Sequence, residues 1–287
     1  MLKHRLVFGI LMTVFFIAIV ILDSWIDGSL TASQADDKPI QATVFCLLIA
    51  ILAIPTQLEL SKLAAAKNLH IFTPVTIIAS ILFATKGYLL QFIDIRPDIY
   101  LIVLTTSVLF ALLLYQYFFY KTSSVLANCG AGYFSILYLG LLSSFCLSIR
   151  IDWGLWHLLM FIFVVKFADI GAFTIGTIYG KHKFSPNISP GKSWEGMAGA
   201  VLFAVIVAIG FAESCDIMSW WFAIIFGICL AFIGQIGDLV ESMMKRDAEQ
   251  KDSSNNVPGF GGILDIVDSA LFAAPWAYLF FKCSAAL

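Results

Sequence analysis

Residues 155–179 read LWHLLMFIFVVKFADIGAFTIGTIY, a run interrupted by few ionisable side chains, Lys166 and Asp169 foremost. A membrane-crossing helix needs about 20 mostly apolar residues, and this stretch supplies them. Working outward, comparable runs occupy 6–22, 42–60, 72–90, 99–120, 125–149, 197–212, 220–240 and 264–281. The connections are short, and no fixed-period repeat is visible. The expected fold is therefore an all-α polytopic integral membrane protein with about nine transmembrane helices. Residues 1–150 would form a scaffold of about five helices, and 151–287 about four more carrying the chemistry.

Composition agrees. Of 287 residues, 60% are hydrophobic and 13% charged, with a mean hydropathy of +0.93. Soluble domains are nearer half apolar and a quarter charged, so a water-facing globule, a disordered chain and a coiled coil are all excluded. The net charge of -2 suggests no nucleic-acid partner. Six cysteines are scattered singly, with no C-x-x-C pair, and the four histidines do not cluster, which argues against a zinc or redox site. Lys3, His4 and Arg5 precede the first apolar run as in a secretory leader, but the run is long and only Ala32–Ala35 hints at a cleavage site. An uncleaved first helix is expected.

Lysines and arginines in short loops set orientation. With a cytoplasmic N-terminus, that side collects Lys3, Arg5, Lys62, Lys67, Lys121, Lys181, Lys183, Lys192, Lys245, Arg246 and Lys251. The opposite side keeps Lys38, Arg96, Arg150 and Lys282, and its first loop holds Asp23, Asp27, Asp36 and Asp37. The sequon at Asn187 then faces the cytoplasm and stays unmodified.

The first five runs are plain, whereas the C-terminal half concentrates charge within or beside its helices: Lys166 and Asp169, Asp238 and Glu241, Asp265 and Asp268. Ionisable groups at such depth are costly and usually face a cavity, a partner or a metal. In GDLVESMMKR (237–246), Asp238, Ser242 and Lys245 share one helix face, and Glu241 pairs with Lys245 at i, i+4. A polar connection and PGFGG (258–262) follow, then Asp265 and Asp268 at i, i+3. Carboxylates at two helix ends suit Mg²⁺, and the cations and glycine backbone beside them suit phosphates. A second basic loop runs from Lys181 to Gly196. Its Gly191-Lys192-Ser193 is not a nucleotide-binding P-loop, because Pro186 stands where the first glycine belongs.

Taken together, these segments resemble the phosphatidate cytidylyltransferase (CDP-diacylglycerol synthase) family. Asp169-Ile170-Gly171-Ala172-Phe173, Ser189-Pro190-Gly191-Lys192-Ser193-Trp194-Glu195-Gly196, Gly237-Asp238-Leu239-Val240-Glu241-Ser242 and the 242–268 segment match its motifs in order. In that last segment Ser242, Lys245-Arg246, Lys251-Asp252, Ser254, Gly261-Gly262, Asp265 and Asp268 fall on the signature. Phe260 replaces the usual His, Ile266 the usual Arg, and Val257 a larger apolar residue. The resemblance covers about 160–275 and implies a divergent but active member. It would transfer CMP from CTP to phosphatidate with Mg²⁺ or another divalent cation as cofactor, in the cell (inner or plasma) membrane, with its site facing the cytoplasm; a homodimer is compatible with it.

The resemblance implies metal ligands at Asp238, Asp265 and Asp268, with Asp169 second in rank. Catalytic contacts to phosphates fall to Lys245, Arg246, Lys251 and Asp252. Substrate binding falls to Ser189, Lys192, Ser193, Glu195, Ser242, Gly261 and Gly262. Two rival readings stay open: a related CTP-dependent membrane enzyme with another lipid acceptor, and an ion-coupled transporter. The acids lie near helix ends and only in the C-terminal half, which favours an enzyme over a transporter.

Overall fold

In hydrocarbon, every backbone N–H and C=O must find its partner within the segment, so apolar spans of this length become helices. The computed structural model describes residues 2–30, 37–254, 257 and 261–284. Asp36, the 32–35 stretch, Asn255, Asn256, Pro258, Gly259 and Phe260 lie outside the described residues. Helices α1 (Leu2–Asp27), α2 (Thr43–Ala65), α3 (Thr73–Ala84), α4 (Lys86–Leu89) and α5 (Pro97–Tyr115) come first. They are followed by α6 (Val125–Ile136), α7 (Leu142–Trp153), α8 (Leu155–Tyr179), α9 (Trp194–Cys215), α10 (Trp220–Asp247) and α11 (Leu264–Ser284). Five-residue π-turns extend α5 at Gln116–Tyr120 and join α6 to α7 at Leu137–Leu141.

Among the described residues, eight helical stretches are long and apolar enough to cross a bilayer, one of them the continuous Val125–Trp153. The remaining run of the nine expected, 72–90, forms the shorter apolar helix Thr73–Ala84 and then the turn α4. The break has a local cause. Thr85 leaves helical geometry at φ -91°, ψ 7°, and Lys86-Gly87 follow, a charge and a poor helix former. Exposed apolar side chains such as Phe110, Leu126 and Ile206 are what a lipid-facing surface requires.

The chain divides into two compact units, Met1–Ile151 with Asp247–Ile266, and Asp152–Arg246 with Val267–Leu287. In the first unit, Arg150 on α7 is 0% exposed. Its Nε lies 3.0 Å from Asp23 and its Nη2 2.8 Å from Asp27, both on α1. The same two carboxylates accept backbone N–H groups at the start of α2: Val44 at 2.7 Å and Phe45 at 3.1 Å on Asp23, Ala42 at 3.0 Å on Asp27. One guanidinium thus ties the ends of α1 and α7 to the start of α2, whose first donors have no partner within their own helix. Deeper in, Gln57 on α2 donates to Ser80 on α3 and Ser135 on α6, each at 3.1 Å. An apolar cluster of Phe72, Phe83, Leu112 and Ile136 fills the space between α3, α5 and α6.

In the second unit, α8 and α9 pack against each other backbone to backbone. A Cβ on Gly199 would lie 2.6 Å from the Gly171 carbonyl, so this crossing needs glycine on both helices. Helices α10 and α11 approach in the same way at Gly237, where a Cβ would stand 2.7 Å from that of Phe272 and 3.2 Å from the Asp268 carbonyl oxygen. Each crossing has one glycine from a motif segment, Gly171 and Gly237. They set which polar side chains meet.

Candidate functional site

Because Gly237 lets α11 close in, Asp238 and Glu241 of α10 and Asp268 of α11 come together, each offering a carboxylate oxygen within 4.8 Å of the others. Glu241 and Asp268 are buried and Asp238 is half-buried. Such crowding of negative charge is unfavourable unless cations balance it. Lys192 supplies one: its Nζ lies 2.9 Å from Asp238 and donates at 2.8 Å to the Gln235 carbonyl. Lys245, one turn beyond Glu241, forms an ion pair with it. The described hydrogen bonds to Asp268 come from its neighbour Ser269, through the backbone N–H at 2.6 Å and the hydroxyl at 3.3 Å. Ser242 donates to Asp238 at 3.4 Å.

Asp169 on α8 borders this cluster. It accepts from Gln235 Nε2 at 3.2 Å and pairs with Lys166 at 3.5 Å. Three carboxylates from two helices, all hard oxygen donors, are a chemically apt set for Mg²⁺. Ligand oxygens opposite one another around that ion stand about 4.2 Å apart, so small side-chain adjustments would close the 4.8 Å spread. The donor set therefore fits a divalent cation.

The loop before α9 is folded by its own polar groups. Ser193 caps α9, accepting from the Gly196 N–H at 3.1 Å. Glu195 accepts from the backbone N–H of Lys181 and His182, each at 3.2 Å, and shares a 2.5 Å hydrogen bond with His182 Nδ1. The Trp194 N–H donates to the His182 carbonyl at 2.9 Å, and Lys183 pairs with Ser193 in a β-bridge. Arg246 Nε donates at 3.2 Å to the Ile188 carbonyl on this loop. Ser189 accepts from the Lys192 N–H at 3.1 Å, which turns the chain so that Lys192 reaches α10.

The signature turn belongs to the first unit. Asp265 Oδ2 accepts from the Ser253 hydroxyl at 2.7 Å, the Ser253 N–H at 3.1 Å and the Gly262 N–H at 2.7 Å. Val257 and Gly261 form a β-bridge, with Gly261 at φ +99°, a conformation glycine adopts freely. Lys251 and Asp252 are exposed. Of the expected metal set, then, Asp238 and Asp268 meet, Asp169 stands beside them, and Asp265 uses Oδ2 to hold the turn.

Two carboxylates escaped the sequence reading as site residues. Glu241 carried a signal, standing i, i+3 from Asp238, but its pairing with Lys245 at i, i+4 explained it locally. Glu59, which accepts hydrogen bonds from the signature turn, carried none, because its partners lie some 200 positions away.

A multi-span helical protein with clustered carboxylates, each met by a lysine or a neighbouring donor, falls in the class of polytopic membrane proteins with a polar centre built among their helices. The Cytidylyltransferase family profile matches residues 3–284, and the chain belongs to that family. It is a nucleotidyltransferase by that membership. Among similar proteins, the phosphatidate cytidylyltransferase of Staphylococcus haemolyticus is 32% identical over 233 residues, which cover 81% of this chain and 86% of that protein. The phosphatidate cytidylyltransferase of Bacillus subtilis is 38% identical over 145 residues, 50% of this chain and 54% of its own length. That of Haemophilus influenzae is 40% identical over 137 residues, 45% of this chain and 46% of its own. For these last two, the matched stretch spans about half of the relative.

Proposed function

We infer that this chain is a CTP:phosphatidate cytidylyltransferase, making CDP-diacylglycerol and pyrophosphate for phospholipid synthesis. The observation that carries the reading is family membership across 3–284, together with motif carboxylates brought into one lysine-balanced cluster. A phosphate oxygen of phosphatidate attacks the α-phosphorus of CTP. The new P–O bond forms as the bond from that phosphorus to the bridging oxygen breaks, and the electron pair leaves with pyrophosphate. The lipid phosphate is already anionic at neutral pH, so no strong general base is needed. The difficulty is holding two polyanions together in line.

The residues divide that work. Asp238, Glu241 and Asp268, with Asp169 beside them, would hold a divalent cation. When bound, it neutralises triphosphate charge and stabilises the departing pyrophosphate. Lys192, fixed by Gln235 and Asp238, offers a positive charge at the cluster for a substrate phosphate. Lys245, Arg246 and Lys251 would hold phosphates and meet charge developing on the leaving group. The positive-inside distribution supports a cytoplasm-facing site in the inner or plasma membrane, where nucleotide is supplied.

The test is purified protein in detergent with labelled CTP, phosphatidate and Mg²⁺, followed for CDP-diacylglycerol. Product that depends on all three is expected. No product together with no CTP binding would sink the reading.

A further inference from the structure

Glu59 lies near the end of α2 and is 1% exposed. Its carboxylate accepts three hydrogen bonds from the signature segment and stands beside a fourth polar group, the Ser253 hydroxyl, whose one proton goes to Asp265. Oε1 takes the Ser254 hydroxyl at 2.7 Å and the Ile263 N–H at 3.1 Å; Oε2 takes the Leu264 N–H at 2.8 Å and lies 3.2 Å from the Ser253 hydroxyl. Leu264 is the first residue of α11, the helix that carries Asp265 and Asp268. Glu59 thus satisfies donors that have no partner inside their own helix, and it places negative charge at the positive end of the helix dipole. The Ser253 hydroxyl stands between Glu59 and Asp265, which holds the turn from its other side. Gly262 completes the grip: a Cβ there would fall on Ser253 Oγ and 2.5 Å from Glu59 Oε2. The last glycine of the motif is therefore required by the Ser253 hydroxyl together with a carboxylate outside the motif.

We infer that Glu59 is a positioning residue for the transfer reaction: from α2 it clamps the segment that bears Lys251, Asp252 and Asp265 and fixes where α11 begins. A purely apolar scaffold would leave that polar segment to find its own geometry. The carboxylate is needed as an acceptor. In Glu59→Gln, an amide NH₂ would face the Ile263 or the Leu264 N–H, setting donor against donor and losing one backbone acceptance whichever way the amide is turned. The inference rests on cytidylyl transfer being the reaction.

The test compares wild type, Glu59→Gln, Gly262→Ala and the double variant in the detergent assay, reading kcat and KM for CTP at a temperature well below unfolding. Hydrogen exchange at the Ile263 and Leu264 amides is followed in parallel. Each single variant should lower kcat at least tenfold with KM within threefold. The double variant should lose no more than twofold beyond the worse single, because both changes break one contact. The two amides should exchange at least tenfold faster in Glu59→Gln. Wild-type kcat and KM in Glu59→Gln, multiplying losses in the double variant, or loss of CTP-binding protein instead of turnover per bound site would each overturn the role. Inactive wild type would refute the assigned reaction instead, and unchanged exchange at Ile263 and Leu264 would still overturn the clamp.

Discussion

Replacing Asp268 with Asn should make the protein more stable and less active, an outcome opposite to that of losing an ordinary structural residue. The reason is electrostatic. Oxygens of Asp238, Glu241 and Asp268 lie within 4.8 Å of one another. Two unit charges at that separation repel by about 3 kcal/mol at an effective dielectric constant of about 20. Asp268 takes part in two such pairs, so its charge carries a gross penalty of roughly 6 kcal/mol. Lys166 opposes this directly, and Lys192 and Lys245 offset part of it through Asp238 and Glu241. Solvent relaxation offsets more, leaving a net relief on the order of 1–2 kcal/mol. Asparagine keeps the shape and an acceptor for the Ser269 N–H, so little packing is lost. Thermal unfolding in detergent with divalent ions chelated should show Asp268→Asn melting about 2–4 °C per kcal/mol above wild type. Adding Mg²⁺ should stabilise wild type and move the variant little, while CDP-diacylglycerol formation falls at least a hundredfold. A variant that melts lower than wild type without Mg²⁺, responds to Mg²⁺ equally and keeps full activity would refute the shared-charge argument.

Three further outcomes follow from single contacts. Gly237→Ala drives a Cβ against Phe272 and the Asp268 backbone; it should cost about 1–3 kcal/mol and reduce turnover by parting Asp238 from Asp268, read by melting and the labelled-CTP assay. Arg150→Met leaves Asp23 and Asp27 buried without their cation; about 3–5 kcal/mol of stability should be lost in unfolding experiments, with KM for CTP unchanged in the protein that remains folded. Ser193→Ala removes the α9 cap; it should cost about 1 kcal/mol in melting and, if Lys192 binds a substrate phosphate as proposed, raise KM for that substrate.

Much of the candidate site was legible in the sequence because its residues are ordered along the chain. Asp238 and Ser242 one turn apart, Asp265 and Asp268 at i, i+3, and a Ser-Pro-Gly-Lys-Ser run need no structure to be noticed. Their division of labour was not legible. For Glu195, the sequence shows nothing of the Lys181 and His182 backbone that its carboxylate gathers. Asp265 and Asp268 look equivalent by spacing, yet Asp265 Oδ2 closes the Ser253–Gly262 turn while Asp268 meets Asp238 and Glu241. The first five runs read as plain apolar helices, but Glu59 within them and Asp23, Asp27 and Arg150 at their ends are buried and bonded.

By itself, the sequence determined that the chain crosses a membrane on helices, because hydrophobic length is a local property and a bilayer leaves the backbone few alternatives. It also determined the chemical class, since acids and bases in a set order along the chain survive any folding. Which acids share a site was decided only by the tertiary structure. Glycine at 237 lets α10 and α11 approach closely enough for distant carboxylates to meet, and Glu59 reaches its partners across some 200 residues of chain. Contacts of that kind depend on where helices cross, and no spacing within one helix encodes the crossing.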